Sequence, residues 1–270
     1  MISRYLRSID EMPGWFLLED ILLFEKLNRQ QKREGLAGDL FEIGAYYGKS
    51  AVLLGYLVAD GERLFVCDAF EGSLPTDANR KESRYAAGLT QRVFESNYRR
   101  FHHDLPEILA CSSTELRKYN LSRGFRFVHI DGSHVYDIVK NDIEVAKRVL
   151  IKGGIVVFDD HCTHPGVSAA IWEEAANGDL IPFCLTPKKL YATWEPTKTS
   201  AVTDLTNWAL DLGIFEMDTE AVRGLQFLKL RMKPLHLSLL YRIYRKLLKI
   251  GRLYHPHAEI IALLQRKGYA

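Results

Sequence analysis

Phe41-Glu42-Ile43-Gly44-Ala45-Tyr46-Tyr47-Gly48-Lys49-Ser50-Ala51-Val52 runs from a short apolar segment, through a turn carrying two glycines, into a second apolar segment. The order strand, glycine turn, helix is the opening unit of a parallel α/β sheet. The glycines allow the backbone to turn tightly and to approach a ligand closely.

Outward from this run, the periodicities alternate. Upstream, Phe16, Leu17, Ile21, Leu22, Phe24 and Leu27 recur at helical spacing and predict an amphipathic helix over 14–34, closed by Gly35 and Gly38. Strands are predicted at 39–43, 63–68, 107–111, 125–131 and 155–159, with helices at 49–58, 88–102 and 134–150 between them. Residues 70–86 are polar and read as an exposed loop over one end of the sheet. Beyond residue 160 come helices at 166–176 and 203–212 and three β-like runs at 180–185, 189–194 and 225–231. Two of these runs are expected to form an antiparallel hairpin at the sheet edge, and the sequence does not choose which two. The expected fold is therefore α/β, a doubly wound, mostly parallel sheet with an antiparallel edge strand, plus N- and C-terminal helices. The expected division is an N-terminal helical cap over 1–36, a ligand-binding domain over 37–232 and a basic amphipathic helical tail over 233–270.

Composition narrows the classes. A chain of 270 residues can bury one good core with appendages, and 47% hydrophobic residues are those of a globular protein. A net charge of +2 gives the whole molecule no electrostatic claim on nucleic acid. Basic charge gathers in the tail, where eight Lys and Arg residues between 232 and 270 face the single acid Glu259. Leu240, Ile243, Tyr244, Leu247 and Leu248 form an apolar stripe there, opposite Arg242, Arg245, Lys246 and Lys249. A helix over 235–252 of this kind packs on its own domain, on a partner copy in a homodimer, or on a membrane surface. The apolar stretch Trp15–Leu27 is broken by Glu19, Asp20 and Glu25, so no signal peptide is read and a cytoplasmic location is expected. Cys67, Cys111, Cys162 and Cys184 show no metal-binding spacing, and the first two read as buried structural thiols.

The glycine turn discriminates between cofactors. A dinucleotide loop needs a glycine where Tyr46 stands, so that pyrophosphate can touch the backbone. Glu42 at the strand end would repel phosphate while tolerating an ammonium group. Asp68 ends the second strand, twenty residues after Gly48, where a carboxylate can accept both hydroxyls of a ribose.

The run 41–52, FEIGAYYGKSAV, resembles the S-adenosylmethionine (SAM) loop of catechol O-methyltransferase and its relatives. Residues 127–143, FVHIDGSHVYDIVKNDI, and 150–161, LIKGGIVVFDDH, resemble the macrocin O-methyltransferase group, metal-dependent enzymes that modify sugars of natural products. The resemblance covers residues 14–175 and implies a Rossmann-like class I methyltransferase. It places Glu42, Gly44, Tyr46, Gly48, Ser50, Asp68, Ser113 and Asp131 around SAM. Tyr46 and Ser50 would meet the methionine part, Asp68 the ribose, and Ser113 the adenine. Ser113 or Ser112, preceding Glu115, can equally cap a helix.

Asp131 is predicted to end the fourth strand, and Asp159 and Asp160 the fifth. Adjacent strand ends lie roughly 5 Å apart, so three carboxylates would crowd together and repel. A hard divalent cation such as Mg²⁺ would relieve the repulsion, and the resemblance implies metal ligands at Asp131, Asp159 and Asp160. The bland alternative is strand-end acids solvated in a loop. His134, three residues after Asp131, suits a general base. His129 reads as core or as support behind the site; His161, after the acidic pair, is unassigned, with a substrate contact as one option. The leading expectation is SAM-dependent methyl transfer to a hydroxyl of a small molecule, a sugar or glycosylated metabolite. The alternatives are a dinucleotide-dependent oxidoreductase on a related fold and an inactive binding protein that keeps the methyltransferase fold.

Overall fold

The computed structural model describes residues 5–6, 8, 11–70, 88–121, 124–177, 180–195, 201–222, 224–233 and 265–267. The loop expected at 70–86, apart from Phe70, and the basic helix expected at 235–252 lie outside the described residues. Among the described residues no helix is long and apolar enough to cross a membrane.

Helix α1 spans Leu18–Arg33, with Glu19 and Asp20 in its first turn and Lys32 and Arg33 in its last, the charge order that suits the helix dipole. Strand β1 (Asp39–Ile43) and helix α2 (Lys49–Leu57) flank the glycine turn. Strand β2 (Leu64–Asp68), helix α3 (Gln91–Arg99), strand β3 (Glu107–Ala110), a 3-10 turn (Ser113–Lys118) and strand β4 (Phe125–Ile130) follow. Helix α4 (Tyr136–Val149), strand β5 (Leu150–Phe158) and helix α5 (Pro165–Ala176) complete the regular alternation. Then come β6 (Ile181–Leu185), β7 (Leu190–Thr193), α6 (Ala201–Leu212), β8 (Phe215–Val222) and β9 (Leu225–Met232).

Among the described residues nine strands form one sheet in the order β3-β2-β1-β4-β5-β7-β6-β9-β8. The first five are parallel. β1 and β4 are buried along their whole length, because helices cover both faces. Leu40, Val66, Phe127 and Val157 pack toward α1, α2, α3 and α6. Phe41, Ile43, Val128, Val156 and Phe158 alternate to the other face, against α4 and α5. Truncating a fully buried ring such as Phe127 to Ala should cost about 3–5 kcal/mol.

One buried polar group joins helices to sheet. Arg126, fully buried in β4, donates to Glu62 at 2.7 and 2.8 Å, to Oε1 of Gln31 at 2.8 Å and to the carbonyl of Leu57 at 3.0 Å. Gln31 in turn donates to the Arg126 carbonyl at 2.7 Å, so α1 is tied to the central strand by both side chain and backbone. Paired and hydrogen-bonded in this way, a buried guanidinium is tolerable.

The expected hairpin is formed by β6 and β7. It lies inside the sheet rather than at its edge, since β7 pairs antiparallel with β5 and β6 pairs parallel with β9. The edge strand on that side is β8, antiparallel to β9. β8 is a strand the sequence did not announce: most of its side chains are exposed, so it lacks the alternation that marks a half-buried strand.

Candidate active site

Strand order reverses between β1 and β4, which puts a crevice at their carboxyl ends. The two strands stay in backbone contact there, the Asp131 amide donating to the Ile43 carbonyl at 2.8 Å. The Asp159 amide likewise donates to the Ile130 carbonyl at 2.9 Å. Gly44 turns at φ +85°, and a Cβ on it would stand 2.2 Å from the Asp131 carbonyl oxygen. A side chain at 44 would therefore pry the strand ends apart.

The loop after Gly44 is shaped by Asp68. One carboxylate oxygen accepts from the amides of Ala45 at 2.8 Å and Tyr46 at 2.9 Å, and the other from the amide of Phe70 at 2.8 Å. Asp68 thus organises the loop in addition to any ligand it meets. Tyr46 has φ +51°, and Gly48, at φ +94°, caps the N-terminus of α2. Asn97 fixes the far side by donating to the Tyr47 carbonyl at 3.0 Å. The chain before α1 crosses this loop: Lys49 donates to the Gly14 carbonyl at 2.9 Å, and the Trp15 ring stacks on Tyr46 at 6.1 Å.

Beneath the loop, Glu42 is fully buried and its Oε1 accepts from Nδ1 of His129 at 2.8 Å. Among the described residues Oε2 has no hydrogen-bond partner, an orphan that a bound water or a ligand group would satisfy. Burial raises the Glu42 carboxyl to about 8 against the opposing pull of Ser50 and Lys189. Burial and then Lys189 push His129 well below its ordinary value. Lys189 can only donate, at 2.9 Å to Nε2 of His129, so His129 carries its proton on Nδ1.

Ser113 opens the 3-10 turn, and its carbonyl accepts from Asn141 at 3.2 Å. Ser112 takes the capping position without a capping side-chain bond. Asp142, beside it, is raised to about 7 by burial, opposed by hydrogen bonds from Ser113 and Asn141.

Asp131, His134, Asp159 and Asp160 line one hollow together with Gly132 and Ser133. Within it the three aspartates divide. Asp131 and Asp159 interact with each other, and both face Lys189, whose ammonium lies 2.7 Å from Asp159 and 3.8 Å from Asp131. Burial and the neighbouring Asp159 carboxylate raise Asp131 well above the ordinary range. Asp160 turns away in the left-handed region, φ +53°, where Asp is tolerated. Its Oδ1 accepts from Lys188 at 2.7 Å and from the Thr163 hydroxyl at 2.6 Å. Its Oδ2 lies 3.2 Å from Nε2 of His134. Burial works to raise Asp160, but the bonds from His134, Lys188 and Thr163 outweigh it and hold the carboxyl far below its usual range.

These residues do not fit a divalent ion as they stand. The expected set of Asp131, Asp159 and Asp160 is split between two lysines, and each ammonium occupies a carboxylate oxygen that a cation would need. Nε2 of His164 lies 3.8 Å from the same oxygen of Asp160, so His134, Asp160 and His164 bring ligand atoms within 4.8 Å of one another. Yet the two imidazole planes are stacked only 8° from parallel. A metal sits near the plane of each ring that binds it, along the nitrogen lone pair, and parallel planes do not meet at one ion.

Sequence reasoning missed Lys188, Lys189 and His164. The readable signal was positional: the turn between β6 and β7 returns the chain beside the end of β5, Leu190 pairing with Phe158. His161 is buried and its Nε2 bonds the Thr186 carbonyl at 3.0 Å, which makes it a brace for that turn rather than a substrate contact. Cys67 and Cys111 are buried, with sulfurs 4.0 Å apart and unlinked.

Residues 41–161 match the family model described as a methyltransferase domain. Among solved structures, the O-methyltransferase NovP is 17% identical with a TM-score of 0.55, the match covering 65% of this chain and 79% of that one. CalS11, a calicheamicin methyltransferase, is 18% identical with a TM-score of 0.50, covering 72% and 91%. No curated protein sequence matches the chain. Residues 41–161 are thus similar to a methyltransferase domain, and the sheet has the fold of the O-methyltransferase NovP.

Proposed function

We propose that the chain transfers the methyl group of SAM to a hydroxyl of a small acceptor, with His134 as general base. The observation that carries this reading is the placement of the His134–Asp160 pair, 3.2 Å apart, in the hollow beside the Gly44–Gly48 crevice. When bound, SAM supplies an electrophilic methyl group on a sulfonium. Gly44, Tyr46, Gly48 and Ser50 would hold its methionine part, Asp68 its ribose, and Ser113 its adenine. Asp131, at the end of β4, stands where cofactor and acceptor sites meet.

Asp160 accepts from Nε2–H of His134, fixing the ring and leaving Nδ1 as the nitrogen with the lone pair. His134 then takes the acceptor's hydroxyl proton while the oxygen bonds to the methyl carbon. S-adenosylhomocysteine would leave with the electron pair of the broken carbon–sulfur bond, and Asp160 would stabilise the imidazolium that results. Alignment of oxygen, carbon and sulfur supplies much of the rate. The acceptor class, a sugar or a glycosylated metabolite, rests on the resemblance of residues 127–161 to the macrocin group.

Calorimetric titration with SAM and with NAD tests the cofactor, and release of S-adenosylhomocysteine over a panel of hydroxylated acceptors tests the reaction. Binding of NAD in place of SAM would reject the reading in favour of a dinucleotide enzyme. Tyr46, where a dinucleotide loop has glycine, argues for SAM.

A further inference from the structure

Resting on the methyltransferase reading, we propose that the ammonium of Lys189 holds the post of a divalent cation at the Asp131–Asp159 pair, so that methyl transfer proceeds without bound metal. Lys189 lies 2.7 Å from Asp159, 3.8 Å from Asp131 and 2.9 Å from Nε2 of His129. Its side chain is 1% exposed, and its ammonium sits 5.0 Å from the centroid of the Phe16 ring. A cation shared by both carboxylates would need the same space. Mg²⁺ brings its oxygens to about 2.1 Å and demands an octahedron. An ammonium already lodged between those oxygens both blocks the approach and repels the incoming ion.

Lys189 is also held in place. The Thr186 hydroxyl accepts from the Lys189 amide at 2.8 Å, and the Thr186 amide donates to the Lys189 carbonyl at 2.8 Å. The same hydroxyl donates to Asp20 of α1 at 2.8 Å, and Tyr191 donates to that oxygen at 2.7 Å. The turn that presents the lysine is thereby fastened to the helix packed over the sheet. The third acid is engaged elsewhere, since Lys188 pairs with Asp160. Lys189 is a positioning residue here: it fixes the two carboxylates at the mouth of the crevice, and the proton transfer belongs to His134.

The test is a titration of the chelator-treated full chain with Mn²⁺, followed by electron paramagnetic resonance, alongside SAM calorimetry on the same sample. The expected result is no Mn²⁺ uptake by the native chain up to millimolar concentrations and SAM binding unchanged by chelator. Lys189→Ala, shown folded by circular dichroism, should gain a Mn²⁺ site at least about tenfold tighter than any native response, and Asp159→Asn in that background should lose it. A native chain that takes up Mn²⁺ in a manner abolished by Asp159→Asn overturns the proposal. So does a folded Lys189→Ala that stays blind to the ion. A chain that binds neither SAM nor Mn²⁺ sinks the methyltransferase reading and leaves the assignment of the cation post to Lys189 standing.

Discussion

The imidazoles of His134 and His164 lie face to face, ring centroids 3.7 Å apart and planes 8° from parallel. Between the stack and Lys188 sits Asp160, one oxygen turned to the histidines and the other to the ammonium. The arrangement clamps His134 from its face and from its Nε2 edge. If His134 acts as the base, a ring held in this way would spend little freedom on reaching a substrate.

His134→Gln should lower kcat by about 10²- to 10⁴-fold, the usual contribution of a positioned base, while calorimetric SAM affinity stays within about twofold. Asp160→Asn should fall nearly as far, because an amide can present a donor to Nε2 and favour the wrong tautomer. Equal activity of His134→Gln and the native chain would remove His134 from the chemistry.

Asp68→Ala takes an acceptor from three amides at once, those of Ala45, Tyr46 and Phe70. The loop should loosen and SAM affinity drop by about tenfold or more, since hydrogen bonds to a charged group contribute roughly 1.5–3 kcal/mol each. Calorimetry reads the affinity, and amide hydrogen exchange over 44–48 reads the loop.

Gly44→Ala places a methyl carbon 2.2 Å from the Asp131 carbonyl at φ +85°. Overpacking and left-handed strain act together, so the loss of stability should be about 2–4 kcal/mol in urea denaturation. Gly61→Ala shares a positive φ, +81°, but meets nothing within 4 Å, and it should lose only the strain.

Stability should also vary with pH in a direction set by Glu42. Its folded value, about 8, lies above its ordinary 4.5. The protonated carboxyl therefore contributes fully below 4.5, and that contribution is lost as pH rises toward 8. Asp20, raised from 3.8 to about 7 chiefly by burial, acts in the same sense over a lower window. Urea midpoints measured from pH 5 to 8.5 should decline, and Glu42→Gln should flatten the upper part of that decline. A curve of unchanged slope in Glu42→Gln would show that Glu42 is ionised in the folded chain.

Most of the sheet was legible in the sequence because its strands are apolar on both faces and separated by amphipathic helices. The Gly44 turn, Asp68 and the strand-end acids could be placed for the same reason. β8 escaped because a strand at an edge, with most of its side chains exposed, carries no periodic signal. The hairpin of β6 and β7 was readable as two runs, but its seat beside β5 depends on long-range pairing that local pattern does not encode. That seat decides the partners of the acids. Three crowded carboxylates call for positive charge, and local pattern does not encode that Lys188 and Lys189 reach them from one turn. Arg126 shows the same limit: the strand at 125–131 could be placed, but not the Glu62, Gln31 and Leu57 that surround its guanidinium.

The turn between β6 and β7 makes its counter-charge part of the polypeptide. A charge joined by a peptide bond has no dissociation constant. Dilution and chelators cannot strip it, and copper or zinc, which outcompete lighter divalent ions at oxygen and nitrogen donors, cannot displace it. The same permanence removes a handhold: the ammonium of a side chain only 1% exposed offers an acceptor no open coordination position. Selection among acceptors then falls to the walls of the hollow.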